Sequence, residues 1–474
     1  MKKLMSFTLI TVLIYILFMS HIAYADGTWP DTPSVCAKGA IVMDASSGTV
    51  LYSKNMNKKY YPASITKIMT TLVALENSSL GETVTFSKRA INSIDYDSSN
   101  LGMKPGEKIT MKDALYGAML KSANEYCNAI GETIAGSIEN YVAMMNKKAK
   151  ELGCKNTHFV TTNGLHNEQH YVTAYDMGLI MKAALENSNF RKIIGTRQYT
   201  IKPTNKCKTS KTFNNHHQML IGGAYSNKYD GIIGGKTGFT NAASHTLVTA
   251  VKKGNLELIC VVLKESSDNG KASYINQYDD TKKLLNAAYS NFKQHNILNN
   301  EGSNITKDFT SFNKYFDLDT KNNTGYISIP ENSSIILPNN AKYSDASKKV
   351  NFFDNPDIKS GDNIIGEIVY TYNKRTVGKV NIIMKYFPKS NIANIDLPDE
   401  MKQYSLLLDD STSQASLNRR NSIIQAMITI VSLIIVIGII VLVKVNQAKR
   451  RRRNAYRSRR NRSRITFDDR NLKL

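Results

Sequence analysis

Ser64 and Lys67 are a pair of residues whose types and spacing could carry out chemistry. They lie three positions apart in residues 61–76, where apolar residues recur at three- and four-residue steps. This periodicity predicts a helix that packs against the core, with both side chains on one face. A lysine whose pKa is lowered can take the proton of a serine and make it a nucleophile. A solvated helix face produces the same spacing by chance, so the pair needs support from elsewhere.

Two further polar segments could complete such a site. Ser122 and Asn124 offer a hydroxyl that could relay a proton and an amide that could hold a carbonyl, although a helix cap is the plain alternative. Lys236 and Thr237 are followed by Gly238, which would let a ligand approach the backbone closely.

The Gly-Lys-Thr sequence at 235–237 also invites comparison with a phosphate-binding loop. That loop needs a glycine five residues before its Gly-Lys pair and a helix after it. Position 230 is Asp, and the residues from Phe239 onward lead into a strand-like run. We therefore exclude a phosphate loop.

The elements predicted around these segments are strands at both ends of one unit, with helices between them. A hairpin is indicated at 46–48, helices at 64–76, 111–120, 139–152, 173–187 and 277–292, and strands at 245–251 and 256–263. Strands from distant segments predict one antiparallel sheet flanked by helices, an α/β (α+β) fold. Residues 299–304 are polar and predict a linker.

The first 25 residues predict a secretory signal. Lys2 and Lys3 precede an uncharged apolar stretch, and Ala23 and Ala25 form a small-x-small cleavage site. An uncleaved anchor is the alternative. We therefore expect an exported protein, for which cytosolic nucleotides are poor candidate partners, and the length of 474 residues suggests two domains plus accessory segments.

The five cysteines do not indicate a disulfide framework or a metal site. None forms a C-x-x-C pair or a clustered Cys/His spacing, and Cys127 and Cys260 lie in apolar runs as small buried hydrophobes. We expect no metal and no cofactor.

The chain resembles, in three motifs in order, the active-site serine penicillin-binding proteins and serine β-lactamases: Ser64-Ile-Thr-Lys67, Ser122-Ala-Asn124 and Lys236-Thr-Gly238. The sequence segments around these motifs resemble more closely the low-molecular-weight D-alanyl-D-alanine carboxypeptidases, over residues 30–293. Those segments are Asn163-Gly-Leu-His166, residues 170–177 and residues 230–240. The chain departs from this pattern at Ala123, Glu125 and Ser244, which leaves fine substrate preference open.

The resemblance implies a β-lactamase/transpeptidase-like domain and a role for each motif residue. Ser64 would attack the bond between two D-alanines of a peptidoglycan stem peptide, with Lys67 as base, helped by a cationic Lys236 that lowers its pKa. Penicillins would acylate the same serine. The other implied roles are a proton relay (Ser122), a substrate amide contact (Asn124), carboxylate binding (Lys236, Thr237), a close backbone approach (Gly238) and, with Ser64, an oxyanion N–H (Phe239).

Two other functions fit the same motifs. A β-lactamase would have to hydrolyse its acyl-enzyme quickly, but residues 124–236 contain no Glu-x-x-Leu-Asn pattern for a deacylating water. A non-catalytic wall-binding scaffold of the same fold would not require the intact motif residues.

The C-terminal third predicts a β-rich domain and a membrane anchor. Residues 301–388 contain strand-like runs at 326–329, 364–372 and 377–387, a polar linker covers 389–421, and residues 422–443 are uncharged and long enough to span a bilayer. Residues 444–474 carry thirteen Lys or Arg against two Asp, which accounts for +11 of the net charge of +23. The positive-inside rule places this tail in the cytoplasm, against anionic lipid, and the catalytic domain outside. A surface-lying amphipathic helix is the alternative for 422–443, and RNA binding by the tail is a weaker interpretation.

Overall fold

The computed structural model describes residues 29–95, 97–222, 228–266, 273–302, 323–353 and 358–388. The predicted signal (1–25), linker (389–421), span (422–443) and basic tail (444–474) lie outside these ranges. Within the described ranges, no helix is both long enough and apolar enough to cross a membrane.

The elements are named in chain order. They are β1 (Gly39–Asp44), β2 (Val50–Lys54), a 3-10 turn (Ala63–Thr66), α1 (Lys67–Asn77), β3 (Thr83–Thr85), α2 (Lys88–Asn92), β4 (Lys108–Thr110), α3 (Met111–Leu120), α4 (Asn124–Ala135), α5 (Ile138–Glu151), α6 (Ala174–Leu185), α7 (Ser188–Gly195), β5 (Gln198–Ile201), β6 (Lys211–Asn214), α8 (Gln218–Ile221), β7 (Ile232–Thr240), β8 (Ser244–Lys253), β9 (Leu256–Glu265), α9 (Ser273–Asn291), β10 (Phe292–Asn296), α10 (Ile297–Glu301), β11 (Asn323–Ser328), β12 (Ser334–Pro338), a second 3-10 turn (Tyr343–Asp345), β13 (Ser347–Phe352), β14 (Gly361–Tyr372) and β15 (Arg375–Pro388).

One antiparallel sheet of five strands organises the first part of the chain, in the order β2-β1-β9-β8-β7. The hairpin of β1 and β2 comes from its start, and β7, β8 and β9 come from near its end. The prediction of one antiparallel sheet built from distant segments and flanked by helices is confirmed.

Successive side chains of a strand point to opposite faces of the sheet, and in these strands the residues on both faces are apolar. The sheet therefore has a hydrophobic core on each face. Ile41 and Ile259 pack against the helices α1 to α7 on one face, whereas Val42 and Cys260 pack against α9 on the other. Burying a side chain of this size contributes about 1.5–3 kcal/mol. The packed sheet therefore supports the loops at its β7 edge.

Polar side chains fix where several helices begin. Thr110 accepts from the backbone of Asp113 ahead of α3, Ser137 from Asn140 ahead of α5, and Thr173 from Asp176 ahead of α6. The helices lie within a few residues of their predicted bounds. One prediction was wrong in part: residues 299–301, expected in a linker, end α10, which the side chain of Asn296 caps.

Strands also make up the part of the chain after α9. A four-stranded sheet in the order β11-β15-β14-β13 packs against the β10–β12 pair around a third core. Strand pairing with this part begins at Phe292, directly after α9.

All five cysteines lie in the described part of the chain, and none forms a disulfide there. Cys127 and Cys260 are fully buried, as predicted.

Candidate active site

Ser64 lies at the entrance to α1, in a turn of 3-10 helix rather than the α-helix expected there. Ala63, just before it, has φ +51, a left-handed conformation that costs a non-glycine residue about 1–2 kcal/mol. The tighter turn still keeps Ser64 and Lys67 on one face, and Lys67 Nζ donates to Ser64 Oγ over 2.9 Å. The predicted pairing of hydroxyl and amine is present.

Lys67 is completely buried, and three oxygens surround its amine. Besides Ser64 Oγ, Nζ donates to Asn124 Oδ1 over 2.8 Å and to the carbonyl of Asn163 over 2.6 Å. Burial lowers the pKa of Lys67 to about 8. At pH 7 roughly a tenth of the amine is then neutral and able to accept the proton of Ser64.

Lys236 is the second buried lysine of the site, on β7. Its Nζ donates to the carbonyl of Thr237 over 2.8 Å. Burial, and after it the charge of Lys67, lower the pKa of Lys236 well below its ordinary range. We expected this repulsion to fall on Lys67. Among the described residues, Lys67 has three hydrogen-bond acceptors and Lys236 has one, so the ammonium form of Lys236 is the less stabilised of the two.

Ser122 and Asn124 lie in the bend between α3 and α4. Ser122 is buried and has φ +64, and Asn124 is the first residue of α4. The Asn124 backbone N–H donates to the carbonyl of Ser99 over 2.8 Å, which fixes this bend against the neighbouring loop. Since Asn124 Oδ1 accepts from Lys67, its amide nitrogen is the group left to donate to a substrate carbonyl.

Gly238 brings β7 directly against the nucleophile. A Cβ at this position would lie 2.9 Å from the backbone nitrogen of Ser64 and 2.4 Å from Thr246 Oγ1. Thr246 in turn donates to the carbonyl of Pro62 over 2.9 Å. The backbone of β7 therefore runs past the N–H of Ser64, where an oxyanion would be held.

Phe239 and Thr237 lie on either side of that glycine. The side chain of Phe239 is 54% exposed, and its ring centroid lies 4.5 Å from that of His245. This places an apolar surface at the rim of the site.

The loop around Asn163 belongs to the site, although sequence reasoning gave it no role. Gly164 has φ +88, and a Cβ there would lie 1.9 Å from the carbonyl oxygen of Ala63. Only glycine permits this approach, which carries the Asn163 carbonyl to Lys67. The sequence signal that could have indicated this role is the segment Asn163-Gly-Leu-His166, which resembles the carboxypeptidase family.

His170 supports the same turn through a chain of hydrogen bonds. The backbone N–H groups of Val160 and Thr161 donate to its Nδ1, each over 3.2 Å, so its Nε2 carries the proton. Nε2 donates to Thr66 Oγ1 over 3.0 Å, and Thr66 donates to the carbonyl of Ala63 over 2.8 Å. Burial lowers the pKa of His170 to about 3, so this imidazole is neutral at pH 7.

Two further histidines that the sequence did not single out lie close to Lys236. Burial, followed by the charge of Lys236, lowers the pKa of both His216 and His217 to about 4. His217 Nε2 lies 2.9 Å from Thr249 Oγ1 on β8. Both side chains are therefore neutral at pH 7.

Comparisons with known proteins agree with this geometry. Residues 26–267 match the D-alanyl-D-alanine carboxypeptidase family. The D-alanyl-D-alanine carboxypeptidase DacF of Bacillus subtilis is 34% identical over 297 residues, which cover 62% of this chain and 73% of the relative. The carboxypeptidase DacC of Escherichia coli is 31% identical over 287 residues, covering 59% and 68%.

A solved structure extends the similarity into the β-rich part. Penicillin binding protein 5 of Haemophilus influenzae superposes with a TM-score of 0.55 at 25% identity, covering 76% of this chain and 98% of that protein. With half of its length matching the family, and with a buried lysine hydrogen-bonded to a serine three residues away, this chain belongs to the D-alanyl-D-alanine carboxypeptidase family.

Proposed function

We propose that this protein removes the terminal D-alanine from peptidoglycan stem pentapeptides through an acyl-enzyme on Ser64. It is a serine-type D-alanyl-D-alanine carboxypeptidase, a hydrolase. The observation that carries the assignment of Ser64 is its hydrogen bond with the fully buried Lys67, whose pKa burial lowers. A solvated lysine would stay protonated near neutral pH and could not act as a base.

In the acylation step, neutral Lys67 takes the proton from Ser64 Oγ as Oγ bonds to the carbonyl carbon of the scissile peptide. The carbonyl becomes an oxyanion that accepts from the backbone N–H groups of Ser64 and Phe239. As the oxyanion collapses, the C–N bond breaks, Ser122 gives its hydroxyl proton to the leaving amine, and Ser122 takes from Lys67 the proton that came from Ser64, which leaves Lys67 neutral again. D-alanine departs, and the remaining peptide is held as an ester.

In the deacylation step, Lys67 takes a proton from the water that adds to the ester carbonyl and gives it to Ser64 Oγ as the acyl C–O bond breaks, which releases the shortened peptide as a carboxylic acid. Lys67 is the only buried amine within hydrogen-bonding distance of Ser64 Oγ among the described residues, so it supplies the proton transfer in both directions. No group outside this constellation is needed to balance either step.

The substrate is held at both sides of the scissile bond. Asn124 donates its amide nitrogen to the peptide on the acyl side. Lys236 and the hydroxyl of Thr237 receive the terminal carboxylate, and the arriving anion favours the ammonium form of Lys236.

A β-lactam presents an amide to the same hydroxyl, so penicillin acylates Ser64 and blocks the enzyme. Incubation of the purified protein with a labelled penicillin should give a stable adduct that Ser64→Ala abolishes, and a synthetic pentapeptide should release D-alanine. Rapid hydrolysis of the penicillin would instead indicate a β-lactamase. Failure of both labelling and D-alanine release would indicate a non-catalytic scaffold and overturn the proposal.

We further propose that residues 1–25 direct export, that 422–443 span the cell membrane and that 444–474 face the cytoplasm. The catalytic domain then works on the wall side. Support comes from the uncharged stretch and the arginine-rich segment that follows it. The tail would be held against anionic lipid headgroups by about 1 kcal/mol per nearby charge.

A further inference from the structure

A second cluster of reactive side chains lies outside the residues of the Ser64 site. Cys36 precedes β1, Glu265 ends β9, and Asp280 lies on α9. The Cys36 sulfur and one carboxylate oxygen from each acidic residue lie within 4.8 Å of one another. Glu265 is 1% exposed and Asp280 5% exposed. A half-buried thiol and two buried carboxyls therefore meet from three segments of the chain.

Buried oxygens at this cluster have no hydrogen-bond donor. Glu265 Oε2 and Asn276 Oδ1 are both buried and accept no hydrogen bond. Asn276 lies one helical turn before Asp280 on the same face of α9, and its amide nitrogen donates to the carbonyl of Ser266. Buried polar atoms nearly always have a partner. The neighbouring Asp280 carboxyl can pair with Glu265 only when one of the two is protonated, whereas a cation would pair with both carboxylates and with the thiol.

We propose that Cys36, Glu265 and Asp280 bind a zinc ion. Thiolate sulfur and carboxylate oxygen are both zinc ligands, and a thiolate selects zinc over magnesium or calcium. Three protein ligands leave the fourth tetrahedral position to water. Our expectation of no metal rested on cysteine spacing along the sequence, which cannot reveal ligands drawn from both ends of a folded unit.

The charges around the cluster suit a divalent cation. A thiolate and two carboxylates carry three negative charges, so a bound zinc ion would leave one. Lys54 and Lys283 lie beside the carboxyls and donate to the carbonyls of Val35 and Ser34, in the segment that carries Cys36. Their ammonium groups offset the remaining charge.

The competing arrangement is a proton shared between Glu265 and Asp280. Burial raises the pKa of both carboxyls, which favours such a proton. The two arrangements differ in whether the Cys36 thiol is ligated, and a measurement on that thiol separates them.

The bound ion would tie three elements together. Asp280 already accepts from the Ala37 N–H over 2.8 Å, and Ser266 Oγ donates to the carbonyl of Cys36 over 3.2 Å. A metal shared by these segments adds a connection that the unfolded chain lacks. Zinc should therefore raise the melting temperature.

The experiment uses the full-length protein after treatment with a chelator. Cadmium is titrated as a spectroscopic probe, and the thiolate-to-cadmium charge-transfer band is recorded, followed by competition with zinc. Wild type and the control Cys207→Ser, which removes a thiol outside the cluster, should bind one equivalent and melt at higher temperature with zinc. Cys36→Ser and Glu265→Gln should each weaken binding at least tenfold. A band that persists in Cys36→Ser, or no uptake by wild type, would overturn the proposal.

A second measurement covers the case in which Cys36→Ser does not fold. Zinc added to wild type should slow alkylation of Cys36 at least tenfold, and that of Cys207 little, as read by peptide mass spectrometry. Equal rates with and without zinc would contradict the site. Circular dichroism of the same samples shows that the protein is folded, so this result is independent of the carboxypeptidase assignment.

Discussion

Lys67 and Lys236 are both buried at one site, yet their amines have unequal numbers of acceptors. Lys67 donates to three oxygens at 2.6–2.9 Å, whereas the described partner of Lys236 is the carbonyl of Thr237. Both pKa values are lowered by burial, and that of Lys236 is lowered further by the charge of Lys67. The ammonium form of Lys236 is therefore less stabilised than that of Lys67, and a substrate carboxylate beside Lys236 would stabilise it.

Replacing Lys67 by arginine should abolish acylation while leaving the fold intact. Arginine keeps the positive charge but cannot deprotonate, so Ser64 loses its base. We expect penicillin labelling and D-alanine release to fall at least ~100-fold, the usual contribution of a general base. Lys147→Arg is the control, because that side chain is 81% exposed. Near-normal labelling of the Lys67 variant would remove Lys67 from the mechanism.

The rate of acylation should follow the titration of Lys67. Its pKa of about 8 means that the neutral form becomes more abundant as the pH rises toward 8. Acylation by penicillin should then increase about tenfold from pH 6 to 7 and level off above the pKa. Stopped-flow labelling across this range, with circular dichroism to verify folding, would measure it. A rate independent of pH below 8 would be incompatible with Lys67 as the base.

Gly238→Ala should damage the oxyanion position. The added Cβ would lie 2.9 Å from the Ser64 nitrogen and 2.4 Å from Thr246 Oγ1, so β7 must move away from the nucleophile. Losing one oxyanion donor lowers rates by about 100- to 1,000-fold, and we expect acylation to fall by that order. Gly81→Ala is the matched control, since no atom lies within 4 Å of the Cβ it would add. Equal acylation rates in the two variants would show that this approach is not needed.

His170 should make the protein less stable in acid. Its folded-state pKa of about 3 lies below the ordinary histidine value, so the unfolded chain binds the proton more readily. The contribution of neutral His170 to the free energy of unfolding is fully present above pH ~6.5 and is lost as the pH falls toward 3. At pH 5 the loss is about 2 kcal/mol. His170→Gln keeps a donor for Thr66 and cannot titrate.

Urea denaturation of wild type, His170→Gln and the control His158→Gln at pH 7.5 and pH 5 would test this. The glutamine variant at 170 should lose about 2 kcal/mol less than wild type between these pH values, because one titrating group is removed. The control should behave as wild type does. An unchanged pH dependence in His170→Gln would show that this imidazole is not buried in its neutral form.

A chain ending near Asn421 should be released into the medium and still cleave soluble pentapeptide. The described catalytic elements end well before that residue, whereas the proposed span follows it. Activity on intact wall should fall, because tethering raises the local concentration of enzyme. External protease should leave a tag at Leu474 of the full chain intact. Removal of the tag would place the tail outside and refute the topology.

The sequence by itself determined the local parts of this protein. The three-residue spacing of Ser64 and Lys67 survives even though the first turn is 3-10 rather than α, because either helix keeps such a pair on one face. The hairpin, most helix bounds and the three motifs follow from patterns that span a few residues. Such features depend on backbone geometry and short-range periodicity, which a single sequence displays.

Only the tertiary structure decided how those parts act on one another. Two of the three acceptors of the Lys67 amine lie 57 and 96 residues away, and the imidazole that supports Thr66 lies 104 residues away. The lowering of each lysine's pKa depends on burial, which only the fold produces. The fold likewise brings Cys36, Glu265 and Asp280 together from distant parts of the chain. Electrostatic energies fall with distance in space, and distance in space is set by packing, which the spacing of residues along the chain does not record.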